Sequence, residues 1–162
     1  LHPRGYLLAT VHRAENTDQR ERLGHILEAF TDLGEPLVFP VHPRTRKLMN
    51  DTGYHAPAHV QLIDPVGYFD IIALEQSARL ILTDSGGMQK EAYWLEVPCV
   101  TLRDETEWVE TVASGWNVLT GADRDRIVRA VRTLQPPSAH PPLYGEGRAA
   151  QIIIDVMTTK GV

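Results

Sequence analysis

The sequence predicts a Rossmann-like α/β domain, a parallel sheet with helices on both faces. Two observations lead there. Apolar runs of strand length recur at 6–11, 36–41, 60–63, 80–83, 99–102 and 116–119, and longer stretches of helical character separate most of them. Parallel neighbours must be joined by crossovers, almost always right-handed, so this alternation favours a parallel sheet.

The first run, Tyr6–Val11, leads into His12-Arg13-Ala14-Glu15-Asn16. Behind it the cluster Asn16-Thr17-Asp18 reads as a helix cap. Leu23, Ile26, Leu27, Phe30 and Leu33 then fall at helical spacing, and Gly34 stops the run. The second run ends in His42-Pro43-Arg44, where the proline suits the first turn of a helix. Val60–Ile63 is followed by Pro65-Val66-Gly67-Tyr68-Phe69-Asp70, and Leu80–Thr83 by Asp84-Ser85-Gly86-Gly87 and a helix start. Past the last run, Asp123 precedes a stripe of Ile127, Val128, Val131 and Leu134; both stripes read as core-packing faces. The stretch Gln135-Pro136-Pro137-Ser138-Ala139-His140-Pro141-Pro142 suits neither helix interior nor central strand. It reads as a semi-rigid connector over 136–145, leading to a final amphipathic helix, with Ile152, Ile153 and Val156, that is expected to dock back on the body. Residues 1–162 thus read as a single domain.

At 162 residues and 43% hydrophobic content the chain can bury one core. A net charge of -5 does not offer the concentrated basic face that a nucleic-acid partner requires. The single cysteine, Cys99, has no partner for a disulfide or a zinc knuckle and reads as a buried, reduced residue of a cytoplasmic protein. No apolar run approaches the roughly 20 residues of a membrane span, so no membrane partner is expected. The start, Leu1-His2-Pro3, lacks a signal peptide's apolar core and suggests a segment of a longer chain. There is no complete Gly-x-Gly-x-x-Gly after the first strand and no Gly-Lys-Ser/Thr loop, which argues against a dinucleotide-dependent dehydrogenase or an ATPase. The histidines show no HExxH pairing, so no metal is expected. Ser85 is flanked as Asp-Ser-Gly, which weakens a hydrolase nucleophile.

In open parallel sheets ligands bind beyond the carboxyl ends of the strands. The strongest candidate there is Asp84-Ser85-Gly86-Gly87 with the helix that follows: glycines admit a close ligand, and free amides at a helix start favour a phosphate. Ser85 adds a hydroxyl, and Glu91 is placed to accept hydrogen bonds from a ribose. A plain tight turn with Asp84 as helix cap is the alternative. At the first strand end, Arg13 suits anion binding and His12 can donate to phosphate or act as acid or base near neutral pH. Glu15 and Asn16 read as caps in a solvated loop. His42 repeats the pattern at the second strand end. The loop with Arg103, Asp104, Glu105, Glu107 and Glu110 carries five charges, with Arg103, Asp104 and Glu107 facing the rim of Ser85. Tyr68 and Phe69 suit either base stacking or the core.

Taken together and in order, Thr10-Val11-His12-Arg13-Ala14-Glu15-Asn16, Val41-His42-Pro43-Arg44, Thr83-Asp84-Ser85-Gly86-Gly87-Met88-Gln89-Lys90-Glu91-Ala92 and Leu102-Arg103-Asp104-Glu105-Thr106-Glu107-Trp108 resemble the non-hydrolysing UDP-N-acetylglucosamine 2-epimerases over nearly the whole chain. The resemblance implies the C-terminal half of a two-domain, glycosyltransferase-B-type fold with a UDP-sugar in the cleft. It implies the N-terminal domain of the same enzyme as partner, a homodimer at full length, and no cofactor. It places His12, Ser85, Gly86 and Gly87 on the diphosphate, with His12 also catalytic. Glu91 would hold the ribose, Tyr68 the uracil, and Arg103 would join the UDP ligands. Arg13 and His42 match positions that in some bacterial members touch a second, activating UDP-N-acetylglucosamine. The implied reaction eliminates UDP to a glycal and re-adds it with C2 inverted, with most of the C2 carboxylates in the other domain. Trp108 stands where many bacterial members have an arginine. In this it resembles relatives acting on 2,3-diacetamido uronic acid nucleotides. A glycosyltransferase-B nucleotide-binding domain and a stand-alone binding module without chemistry are the competing readings.

Overall fold

A computed structural model describes residues 2–145 and 147–159. Along the chain run β1 (Leu7–Thr10), α1 (Ala14–Thr17), α2 (Arg20–Leu33), β2 (Leu37–Pro40), α3 (Pro43–Asp51), β3 (Val60–Ile63), α4 (Tyr68–Ser77), β4 (Leu80–Thr83), α5 (Gly86–Trp94), β5 (Cys99–Thr101), α6 (Val109–Ala113), β6 (Asn117–Leu119), α7 (Arg124–Thr133) and α8 (Ala149–Thr159). The strands form one sheet in the order β3-β2-β1-β4-β5-β6, every neighbouring pair parallel. The sheet grows through β1, β2 and β3 to one side and through β4, β5 and β6 to the other, so its order reverses between β1 and β4. β3 and β4 have the expected bounds. The other ladders are shorter than their apolar runs, because Tyr6, Val11, Val41, Leu102 and Trp116 are buried flanks outside the paired segments.

Burial on both faces explains why the strands read as continuous apolar runs. Along β1 and its flanks, Leu7, Ala9 and Val11 join one core layer with Leu23, Ile26, Leu27 and Phe30 of α2 and Ile127 and Val131 of α7. Tyr6 and Leu8 join the other layer with Met88 and Ala92 of α5. Successive residues of one strand thus feed opposite layers, as the pleat dictates. Cys99 lies in the second layer, and burial pushes its thiol up to about 12, where it stays an inert small hydrophobe.

Helix ends follow the sequence signals at Gly34, Pro43 and Asp123 and depart from them at Asn16. Gly34 closes α2 at φ +67°, and Asp123 Oδ1 accepts from the Arg126 amide (2.8 Å) to cap α7. The Asn16-Thr17-Asp18 cluster, however, does not cap α2. Asn16 and Thr17 lie inside α1, and α2 starts behind Gln19 with no side-chain cap. The reason is that the Asn16 side chain is turned inward.

Residues 134–145 form neither helix nor strand. Tyr93 Oη donates to Pro141 O (2.6 Å), Trp116 Nε1 donates to Ala139 O (3.0 Å), and the His140 ring stacks on Tyr93 at 4.2 Å, which straps this segment over α5. The helix beyond it forms, but the expected docking does not. No residue of α8 is buried, and Ile152, Ile153, Ile154, Val156 and Met157 are all exposed. Tyr144, near the end of the strap, packs edge-on against Tyr93 and Trp94, while α8 beyond it buries no residue. No helix among the described residues is long and apolar enough to cross a membrane.

Candidate functional site

Thr10 and Thr83, the last residues of β1 and β4, join through their hydroxyls at 2.7 Å. Beyond this pair the two central strands part, one into the His12 loop and the other into α5. Such a reversal point leaves a crevice past the strand ends, where open sheets bind ligands.

Asp84 holds the floor of the crevice and is completely buried. Its carboxylate accepts from the amides of His12 (3.1 Å) and Arg13 (3.0 Å) and from Asn16 Nδ2 (3.1 Å), and His12 Nδ1 lies 3.3 Å from Oδ1. A carboxylate can be buried when donors fill its lone pairs. Asp84 is therefore not the cap of α5. That role falls to Ser85, whose Oγ faces the Met88 amide at 3.4 Å. The reading of Asn16 as a cap in a solvated loop is corrected too: it is fully buried, and its Nδ2 also donates to Leu102 O (2.9 Å), while its Oδ1 accepts from Arg22 Nε (3.1 Å). One side chain thus ties the His12 loop to the ends of β4 and β5.

Gly86 and Gly87 fill the first two positions of α5, where amides have no partner within the helix. With the helix dipole behind them they suit an anion. The two glycines serve differently. A β-carbon on Gly86 would lie 2.9 Å from Glu107 Oε1 and 3.3 Å from Trp108 Nε1, whereas on Gly87 its nearest contact would be Ser85 Oγ at 3.7 Å. Gly86 admits the neighbouring loop, and Gly87 leaves room above the helix start.

That neighbouring loop is more than a solvated charge run. Arg103 is nearly buried and donates to Glu107 Oε2 at 2.7 Å, and Arg13 Nη2 reaches Glu107 Oε1 at 3.7 Å. The Glu107 carboxyl is held below the usual range by its own backbone amide and by Arg103. Asp104 turns the other way, toward Arg22 (3.0 Å). His12, Arg13, Ser85, Gly86, Arg103 and Glu107 therefore form one rim. Trp108 packs beside it, with Lys90 Nζ 4.3 Å from its ring centroid and also over the rings of Trp94 and Tyr144.

On the α4 side, Tyr68 Oη donates to Glu91 Oε1 at 3.2 Å. Tyr68 and Phe69 are exposed, at 63% and 87%, which disposes of the core alternative for both. The hydrogen bond to Glu91 and its charge raise the Tyr68 phenol. Under this pair lies a group that sequence reading missed: Glu75 of α4, fully buried, both carboxyl oxygens without a hydrogen-bond partner among the described residues. Burial and the charge of Glu91 push its carboxyl up to about 8. His42 caps α3 through Nδ1, which accepts from the Arg44 amide (3.3 Å), and Arg44 pairs with Asp18. Its bonds run within α3 and not to the Asp84 cluster.

The missed features left faint traces. An aspartate directly after a fully buried strand and an asparagine six residues past another are the signal for the Asp84–Asn16 clasp. The position of Glu75, on a helix with no clear apolar stripe, carries none.

The fold and its crevice define a class: a doubly wound, Rossmann-like α/β domain with an anion-suited helix start at the point where strand order reverses. The family model described as UDP-N-acetylglucosamine 2-epimerase matches residues 1–158, and the chain belongs to that family. It is 49% identical over 157 residues to a UDP-N-acetylglucosamine 2-epimerase homolog of Methanococcus maripaludis, covering 94% of this chain and 44% of the relative. It is also 49% identical over 158 residues, with the same coverage, to the UDP-2,3-diacetamido-2,3-dideoxy-D-glucuronate 2-epimerase of Pseudomonas aeruginosa. Among solved structures, the Methanocaldococcus jannaschii UDP-GlcNAc 2-epimerase in complex with UDP-GlcNAc and UDP superposes with TM-score 0.86 at 38% identity, covering 95% of this chain and 45% of that one. The chain thus spans about half the length of the relatives it matches.

Proposed function

We propose that this chain is the UDP-binding, C-terminal half of a UDP-N-acetylglucosamine 2-epimerase, which interconverts UDP-GlcNAc and UDP-ManNAc by eliminating UDP and adding it back. The observation that carries the reading is the Ser85-Gly86-Gly87 start of α5, set against His12 across the reversal point of the sheet. There Ser85 and the amides of Gly86 and Gly87 hold the diphosphate, with His12 as donor and Arg103 at the rim. Glu91 takes the ribose hydroxyls, in reach of Tyr68, whose exposed ring offers a face to uracil. Fixed donors aimed at a departing diphosphate are what elimination of UDP needs. Arg13 and His42 are assigned to a second, regulatory UDP-sugar.

The other wall of the cleft, with the groups that act on the C2 proton, belongs to an N-terminal domain of the same enzyme. The exposed apolar side chains of α8 suit contact with that domain. The parent is read as a cytoplasmic homodimer that uses no cofactor. A second reading of the substrate, a UDP-2,3-diacetamido uronic acid, is favoured by one observation: at the rim, an indole stands at position 108, beside Gly86.

Calorimetric titration with UDP and UDP-N-acetylglucosamine tests the half-site. Ser85→Ala and Glu91→Ala each remove a hydrogen bond involving a charged partner, worth about 1.5–3 kcal/mol, so affinity for UDP is expected to fall about 10-fold or more in each. Unchanged affinity in both variants would sink the assignment.

A further inference from the structure

We infer that Asp84 is a positioning residue that fixes the imidazole proton of His12 on Nδ1 and so presents the Nε2 edge to the ligand side of the rim. The inference rests on the reading of His12 as a ligand-facing group and adds the group that orients it.

His12 Nδ1 lies 3.3 Å from Asp84 Oδ1, and the same carboxylate takes the His12 amide at 3.1 and 3.2 Å, so one acid grips both the backbone and the ring of one residue. A carboxylate offers only acceptor sites, so the nitrogen facing it has to be the one that carries hydrogen. Asp84 cannot swing away, because it is completely buried and also receives the Arg13 amide and Asn16 Nδ2, the latter anchored in turn to Leu102 O. The orienting acid is thus more rigid than the histidine that it holds. The His12 side chain is half exposed (52%), which leaves its other edge open to the crevice. A histidine's tautomer follows what its ring nitrogens face, and here the Asp84 carboxylate 3.3 Å from Nδ1 favours the form with hydrogen on that nitrogen. Asp84 also stands directly before Ser85, so the residue that orients the imidazole is covalently joined to the helix start it faces. The geometry of His12 relative to Gly86 and Gly87 is therefore set by one backbone step and one carboxylate.

The test is nitrogen-15 NMR of the histidine side chains in this chain, with His12→Gln to assign the His12 signals. In the wild type, at a pH where the ring is neutral, His12 is expected as the Nδ1–H tautomer. A wild-type His12 in the Nε2–H form overturns the proposal, and this measurement needs no variant to fold. In Asp84→Asn the side-chain amide can offer N–H toward Nδ1, and the tautomer is expected to shift to Nε2–H. A folded variant with unchanged tautomer also overturns it. A merely structural role of Asp84 would alter stability without moving this signature. Adding UDP separates the two claims: a shifted Nε2 signal supports the diphosphate reading, and an unmoved one counts against that reading while the tautomer still decides the role of Asp84.

Discussion

Replacing Glu75 with methionine is expected to stabilise the protein by an amount that grows with pH. The side chain is fully buried with both oxygens unpartnered, and its carboxyl is pushed up to about 8, whereas in the unfolded chain it titrates near 4.5. The folded-state value is thus the raised one. Below about pH 4.5 both states carry the proton, and only the cost of burying an unpartnered neutral carboxyl remains. Between about 4.5 and 8 the unfolded chain ionises while the folded chain must stay neutral, so wild-type stability falls as pH rises, and above about 8 the loss is complete. A gap of this size corresponds to a few kcal/mol, on the order of 4. Methionine keeps similar volume and does not ionise. Denaturant unfolding of both proteins at pH 4, 6 and 8 should show the smallest stability difference at the lowest pH and a steadily larger one above it. A difference that does not change with pH would sink this account and mean that Glu75 finds a donor in solution.

Asn16→Leu is expected to cost about 3–5 kcal/mol. The amide is fully buried, and its Nδ2 bonds to the Asp84 carboxylate and Leu102 O while its Oδ1 takes Arg22 Nε. Leucine removes three hydrogen bonds, two of them with charged partners, and leaves a buried carboxylate and carbonyl under-satisfied. The penalty lies in those orphaned groups more than in the bonds themselves. Thermal unfolding would register it as a lowered midpoint, and UDP titration as weakened binding if the clasp also sets the His12 loop. A loss below about 1 kcal/mol would show that water enters and replaces the amide.

These two residues mark where sequence reading stops. The sheet was legible because each strand, buried on both faces, had to be an uninterrupted apolar run, and the helix start at Ser85-Gly86-Gly87 was legible because small residues there have few other uses. Gly34 and Asp123 announced the ends of α2 and α7 by local chemistry alone. Asn16 misled because asparagine before a helix has a familiar local role, and only the neighbouring strand ends reveal that two of its three partners lie 68 and 86 residues away. Glu75 was invisible for a related reason: a single glutamate in a helix reads as solvent-facing until the packing of α4 on α5 closes over it. The exposure of α8 was missed because amphipathic spacing says that a face will be covered without saying by what. Within the rim, charge alone marked Arg103 and Glu107, but the approach of Glu107 to Gly86 needed the fold.

The three tryptophans of the chain all lie along the strapped segment. Trp94 and Trp108 meet the ring of Tyr144, and Trp116 meets His140 and donates to Ala139 O, while neither apolar layer of the sheet contains an indole. Ultraviolet emission from this molecule is therefore a local optical signal. It reports the seam between connector and α5, and circular dichroism reports the sheet and helices. The two unfolding traces coincide only if the seam and the sheet come apart together. Since Trp108 also leans on Gly86, the same emission is a dye-free monitor of whatever arrives at the start of α5.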